Sequence, residues 1–209
     1  MLNKLAAIAR NTFVETIRQP VYAVIIGIAL LLFLLSPSLS MYTFDDDNKL
    51  LREIGLSTLF LTSLFVAIFS ASGAVAVELE NKTILTVLTK PVQRPIFMAG
   101  KFLGVAAAVG IAHYIGTIAL LMTIRHGVLE TAADTHDWTV VGAAVAILAI
   151  TLLLSTFFNY TYDWKFTSTA VIVLAVLATF GIVFLALIDR NWQFNPAENG
   201  IHTLDVYGA

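Results

Sequence analysis

The chain contains no cysteine, which excludes disulfides, thiolate nucleophiles, iron–sulfur clusters and cysteine-ligated zinc together. Charge is scarce as well. Only 12% of the 209 residues are Asp, Glu, Lys or Arg, about half the share found in soluble domains. That is too little to solvate a folded surface of this size, and the 58% apolar content needs lipid. A global basic field is also missing: the net charge is −2 and the pI about 6.0, so nothing favours a nucleic-acid partner. The apolar and aromatic content in turn excludes a disordered chain.

What is present is a set of long runs without any charge: residues 19–44, 54–77, 102–124, 138–162 and 166–188. A helix rises 1.5 Å per residue, so about 20 apolar residues cross the roughly 30 Å hydrocarbon core. Every run exceeds that length. None shows the alternation of a barrel strand, and backbone groups in lipid must be bonded within their own segment, so the runs are helices. The expected fold is an all-α integral membrane protein with five transmembrane helices.

Basic residues orient it. With the N-terminus in the cytoplasm, the inner segments carry Lys4, Arg10, Arg18, Lys82, Lys90, Arg94, Lys101 and Lys165. The outer ones carry only Lys49, Arg52, Arg125 and Arg190, whereas ten of the fourteen acidic residues lie outside. This excess of inner Lys and Arg predicts a multi-pass protein of the cytoplasmic (inner) cell membrane, N-terminus inside. Trp138, Tyr160, Tyr162, Trp164 and Trp192 fall at the expected interfaces.

Residues 1–19 place Leu2, Leu5, Ala9, Phe13 and Ile17 on one helical stripe, with Lys4, Glu15 and Arg18 opposite and Arg10 at its edge. This predicts an interfacial amphipathic helix ended by Pro20. A signal peptide is the competing reading, but the apolar core is too long and the basic lead too extended. Ser36-Pro37 predicts a kink or stop near the end of the first span, and Ser70-Ala71-Ser72-Gly73-Ala74 lets the second span approach a neighbour closely. The domains are therefore 1–19, a transmembrane domain over 20–188, and an outer tail over 189–209.

The longest cytoplasmic connection, residues 78–101, joins the second and third spans. Asn81 or Thr83 can cap a short helix there, with Ile84, Leu85 and Leu88 on one face and Lys90-Pro91 ending it. Pro95 suits the first turn of the following helix. Glu78 and Glu80 precede this element, and Lys90, Arg94 and Lys101 follow it. A force on so short an element passes directly into two spans.

The paired Glu78 and Glu80, then Lys82-Thr83, then Leu88-Thr89-Lys90-Pro91-Val92-Gln93-Arg94, then Gly100-Lys101-Phe102-Leu103-Gly104 resemble the permease subunits of type-2 ATP-binding-cassette (ABC) exporters. Among these is the permease group of nitrous-oxide-reductase maturation. Glu15-Thr16-Ile17-Arg18-Gln19-Pro20 ahead of the first span fits the same family. The likeness covers roughly residues 1–190 in layout and about 30 residues in motif. It implies an exporter permease that pairs with a second permease copy or homologue and with separate ABC ATPase subunits. The ATPase contacts would be Glu78, Glu80, Lys82, Thr83, Lys90, Pro91 and Arg94. Six spans are usual in that family, so a sixth is expected to be missing from these 209 residues. The alternative is a non-transporting membrane scaffold or assembly factor of the same architecture.

Several chemical signals fail. Gly100-Lys101 lacks the phosphate-loop pattern, because Pro95 and Phe102 stand where Gly and Ser or Thr are required. The expectation is thus no enzyme activity in this chain, ATP hydrolysis lying in the partner, and no cofactor. His126 with Asp134, His136 and Asp137 offers nitrogen and oxygen ligands but no second ordered cluster, so no metal is expected. Gly100 and Gly104 match the small-residue packing motif, read either as a tight turn contact or as a dimer seam. His113-Tyr114, in mid-span, is a possible intramembrane polar site; the competing reading is a neutral His hydrogen-bonded between helices.

Overall fold

A computed structural model of the chain describes residues 2–40, 47–80, 94–128 and 136–194. These residues form α1 (Leu2–Ile17), α2 (Pro20–Ser40), α3 (Asp47–Glu80), α4 (Arg94–His126), α5 (Trp138–Tyr162) and α6 (Phe166–Leu187). One isolated bridge, Ile188 to Phe194, is the only β contact among them. Helices α2 to α6 are each long and apolar enough to cross a membrane. The chain is a multi-pass, all-α membrane protein.

Helix α4 is the hub, packed against every other helix. Side-chain ties fix the directions. Tyr22 Oη donates to the Ala108 carbonyl and Thr123 Oγ1 to the Phe33 carbonyl, so α2 and α4 run parallel. Gly116 faces Leu59 and Gly55 faces Leu120, which sets α3 antiparallel. Tyr114 meets Thr179 and Arg125 meets the Leu185 carbonyl, so α6 follows α4. Ile147 against Gly181 and Trp192 against Gly142 return α5 the other way. We call the end that carries α1 the near end and the opposite one the far end.

The main core joins Ile17, Tyr22, Ile26, Val66, Ala108, Ala112, Ile115, Val171 and Leu174, so α1 contributes to the same core as the spans. Helices α3 and α4 hold 34 and 33 residues, about 50 Å each at 1.5 Å per residue. Both therefore outrun the hydrocarbon core, and α3 continues through Lys49, Arg52 and Glu53 beyond the charge-free run. Exposed aromatics mark both ends, with Trp138 and Trp192 at the far end and Tyr160, Tyr162 and Trp164 at the near end, as interfacial belts require.

Pro37 does not stop α2, which continues to Ser40. Proline has no N–H to donate, so it releases the carbonyl four residues back, that of Phe33. Thr123 Oγ1 of α4 comes within 3.3 Å of it and shares with it the proton it directs to its own Ala119 carbonyl at 2.9 Å. A neighbouring hydroxyl thus satisfies the freed group, the condition under which a spanning helix tolerates proline.

Candidate functional site

At the near end α1 lies along the first three turns of α4. The contact is glycine-dependent. A Cβ on Gly100 would come within 2.8 Å of Ile8 Cβ, and one on Gly104 within 2.6 Å of both the Ala9 carbonyl oxygen and Thr12 Cβ. The two glycines therefore form an intramolecular seam in which helix backbones nearly touch. The predicted stripe is rotated slightly. Thr12, Thr16 and Ile17 are buried and Ile8 and Phe13 half-buried, whereas Leu2 is exposed. Beside Gly104 the small Thr12 turns inward, where the two helix backbones come closest.

The same end ties α3 in. Lys101 Nζ donates to the Ala74 carbonyl at 2.7 Å and sits 5.5 Å over the Phe97 ring. Gln19, in the turn between α1 and α2, lies against Gly73, where an added Cβ would be 2.7 Å from Nε2. The small-residue stretch of α3 therefore packs as expected, with Ser70 and Ala74 buried. Thr167 of α6 donates to the Arg18 carbonyl at 3.0 Å. So α1, α3, α4 and α6 are joined around the point from which the 78–101 connection departs. Lys101→Met should weaken this junction by about 1.5–3 kcal/mol, the worth of a hydrogen bond from a charged group. A melting point lowered by roughly 3–12 °C in detergent would register it; an unchanged one would show that the tie is idle.

Lys82, Thr83, Lys90 and Pro91, with the expected short helix around Ile84, Leu85 and Leu88, lie outside the described residues. Glu78 and Glu80 fall in the last turn of α3 and Arg94 opens α4, with Pro95 in its first turn as predicted. The polar face of α1 is open: Arg10, Asn11, Val14, Glu15 and Arg18 line a depression of about 470 Å³.

In mid-span, His113 Nδ1 pairs with Ser63 Oγ of α3 at 2.8 Å, and Tyr114 Oη pairs with Thr179 Oγ1 of α6 at 2.8 Å. Both residues bridge helices, yet both remain exposed.

Sequence reasoning missed the far-end cluster. Asp137 caps α5, its Oδ1 accepting from the Thr139 and Val140 amides at 3.1 and 3.3 Å and from the Thr139 hydroxyl. Its side chain is fully buried, and Oδ2 faces Arg125 Nε at 3.6 Å and Arg190 Nε at 3.5 Å. Arg125 also donates to the carbonyls of Leu185 and Ile188 at the end of α6. The signal was available: the three charges abut the ends of three spans that topology brings to one side. Beside the cluster, His136 Nδ1 and His126 Nε2 are 3.3 Å apart; Asp134 lies outside the described residues. Among the described residues no three His, Asp or Glu converge as a metal set.

No protein-family model, curated protein or solved structure matches the chain.

Proposed function

We propose that the chain is the permease subunit of an ABC-type exporter, a membrane-spanning half that carries no ATPase chemistry of its own. A separate ABC ATPase subunit docks on the near end, which is then the cytoplasmic side of the cell membrane. A second permease copy or homologue completes the transporter. The observation that carries this is the near-end junction. The 78–101 connection leaves from two helices that Lys101 clasps together, and the Gly100–Gly104 seam fastens α1 to the same place. A push there reaches α3, α4 and α1 at once, and α6 through Thr167. The open face of α1 bears Lys4, Arg10 and Arg18 against one Glu15, a basic surface suited to an acidic patch on the partner.

The test is whether a neighbouring gene encodes an ABC ATPase and whether that ATPase co-purifies with this chain. The pair should isolate together, and R10E with R18E should cut the permease-stimulated ATPase rate about tenfold, the effect of about 1.4 kcal/mol of lost coupling. If no such ATPase ever co-purifies, and E78K and R94E leave the phenotype of the intact cell unchanged, the chain is instead a membrane scaffold or assembly factor.

A further inference from the structure

Three exposed faces of the bundle differ in chemistry. The outward side of α2 is dominated by apolar residues such as Val24, Ile28 and Leu31, and that of α5 by Leu152, Leu153 and Phe157. Both suit lipid. The exposed side of α4, between α3 and α6, presents Ala106, Ala107, Gly110, His113 and Tyr114. An added Cβ on Gly110 would meet nothing within 4 Å, so open space lies in front of it.

The hydrogen-bond inventory of this face is one-sided. Ser63 Oγ donates its only proton to the Leu59 carbonyl at 2.9 Å. The His113 tautomer that satisfies both bonds carries its hydrogen on Nδ1 and donates it to Ser63, which leaves Nε2 with an exposed lone pair. Nε2 has no partner among the described residues. Thr179 Oγ1 likewise donates to the Ala175 carbonyl at 2.8 Å, so Tyr114 Oη is the donor to Thr179 and its own lone pairs face outward. Thr117 turns its hydroxyl back onto the His113 carbonyl at 2.9 Å. What remains on the face is acceptors without donors. Ser63 and Thr179 lie near the middle of their spans, at the depth where lipid offers nothing to an acceptor and the group stays costly.

We infer that this face of α4 lines a water-accessible passage at mid-membrane, with His113 Nε2 and Tyr114 Oη accepting hydrogen bonds from water or from the donor groups of a passing molecule. The inference rests on the exporter reading only for what closes the passage opposite α4. It adds a wall and a chemistry: the passage favours cargo that can donate hydrogen bonds.

The absence of cysteine makes the test clean. Single-cysteine variants Ala107→Cys and Gly110→Cys on the α4 face, and Leu31→Cys and Leu153→Cys as lipid-facing references, are labelled in native membranes with a small charged thiol reagent. Such a reagent reacts with the thiolate, which forms only where water reaches. Labelling at 107 and 110 should run at least about tenfold faster than at 31 and 153, while all four label fully after denaturation. His113→Phe, placed behind Gly110→Cys, should slow labelling there severalfold by removing the acceptor that holds water. Equal slow rates at all four positions overturn the inference. So does spontaneous crosslinking of Gly110→Cys between two copies without labelling, which would make the face a dry seam. Co-purification of the ATPase is read separately, so the passage can stand if the exporter reading falls, and the reverse.

Discussion

Asp137→Ala should be the most damaging substitution at the far end. It removes the carboxylate shared by Arg125, whose side chain is 10% exposed, and Arg190, and it strips the cap from α5. Breaking a buried pair by deleting one partner costs about 3–5 kcal/mol, because the remaining charge stays behind without compensation. A lost cap adds about 1 kcal/mol. For a chain of this length the melting point in detergent should fall by on the order of 10 °C. Arg190→Ala should matter far less, since that side chain is 62% exposed and water screens the contact. Asp163→Asn, on an exposed acid at the other end, is the reference. Equal melting points for Asp137→Ala and Asp163→Asn would mean that the cluster holds nothing together.

The second large effect is expected at Gly104, and a matched change on the same helix isolates it. Gly104→Ala brings a methyl to 2.6 Å from the Ala9 carbonyl and 2.9 Å from the Phe13 amide. These are backbone atoms, so α1 must move as a body; forcing volume into a packed contact costs about 1–3 kcal/mol. Gly110→Ala meets nothing, and removing a mid-helix glycine is worth roughly 0.5–1 kcal/mol in its favour. One alanine should therefore lower the melting point while the other holds or raises it. Gly104→Leu should go further, freeing residues 1–19 to protease digestion and abolishing any association that depends on α1. If the two alanines behave alike, α1 is not held by this seam.

Much of the fold was legible because lipid restricts composition so strongly. A charge placed along residues 138–162 or 166–188 would have no partner, so charge-free runs mark the spans almost by themselves. Helix ends were less legible, since a spanning helix need not stop where the bilayer does; α3 and α4 continue through charged residues into water. Pro37 was misleading for a different reason. Its effect depends on Thr123, which is 86 positions away in sequence and invisible to any local reading. The same holds for the face that α1 turns inward. Its own periodicity points to Leu2, Leu5, Ala9, Phe13 and Ile17; Leu2 stays exposed, while Thr12, outside that stripe, packs against Gly104 of another helix. His113 and Tyr114 were recognisable as misplaced polar groups, whereas their partners Ser63 and Thr179 carry no mark in an apolar run. The far-end cluster needed only topology: once three spans end on one side, Arg125, Asp137 and Arg190 are neighbours.

The ties between α6 and the rest of the bundle also have an order. From the near end they are Thr167 to the Arg18 carbonyl, Tyr114 to Thr179, and Arg125 to the carbonyls of Leu185 and Ile188. In lipid, helices are held by close packing, here through Val171 and Leu174, together with interhelical bonds of this kind. The first tie is an exposed neutral bond and the last a cation at the end of a helix, anchored in turn by a buried carboxylate. Of the three ties the far-end one is therefore the firmest, and Arg125 is the fixed point from which the α5–α6 hairpin hangs on the bundle.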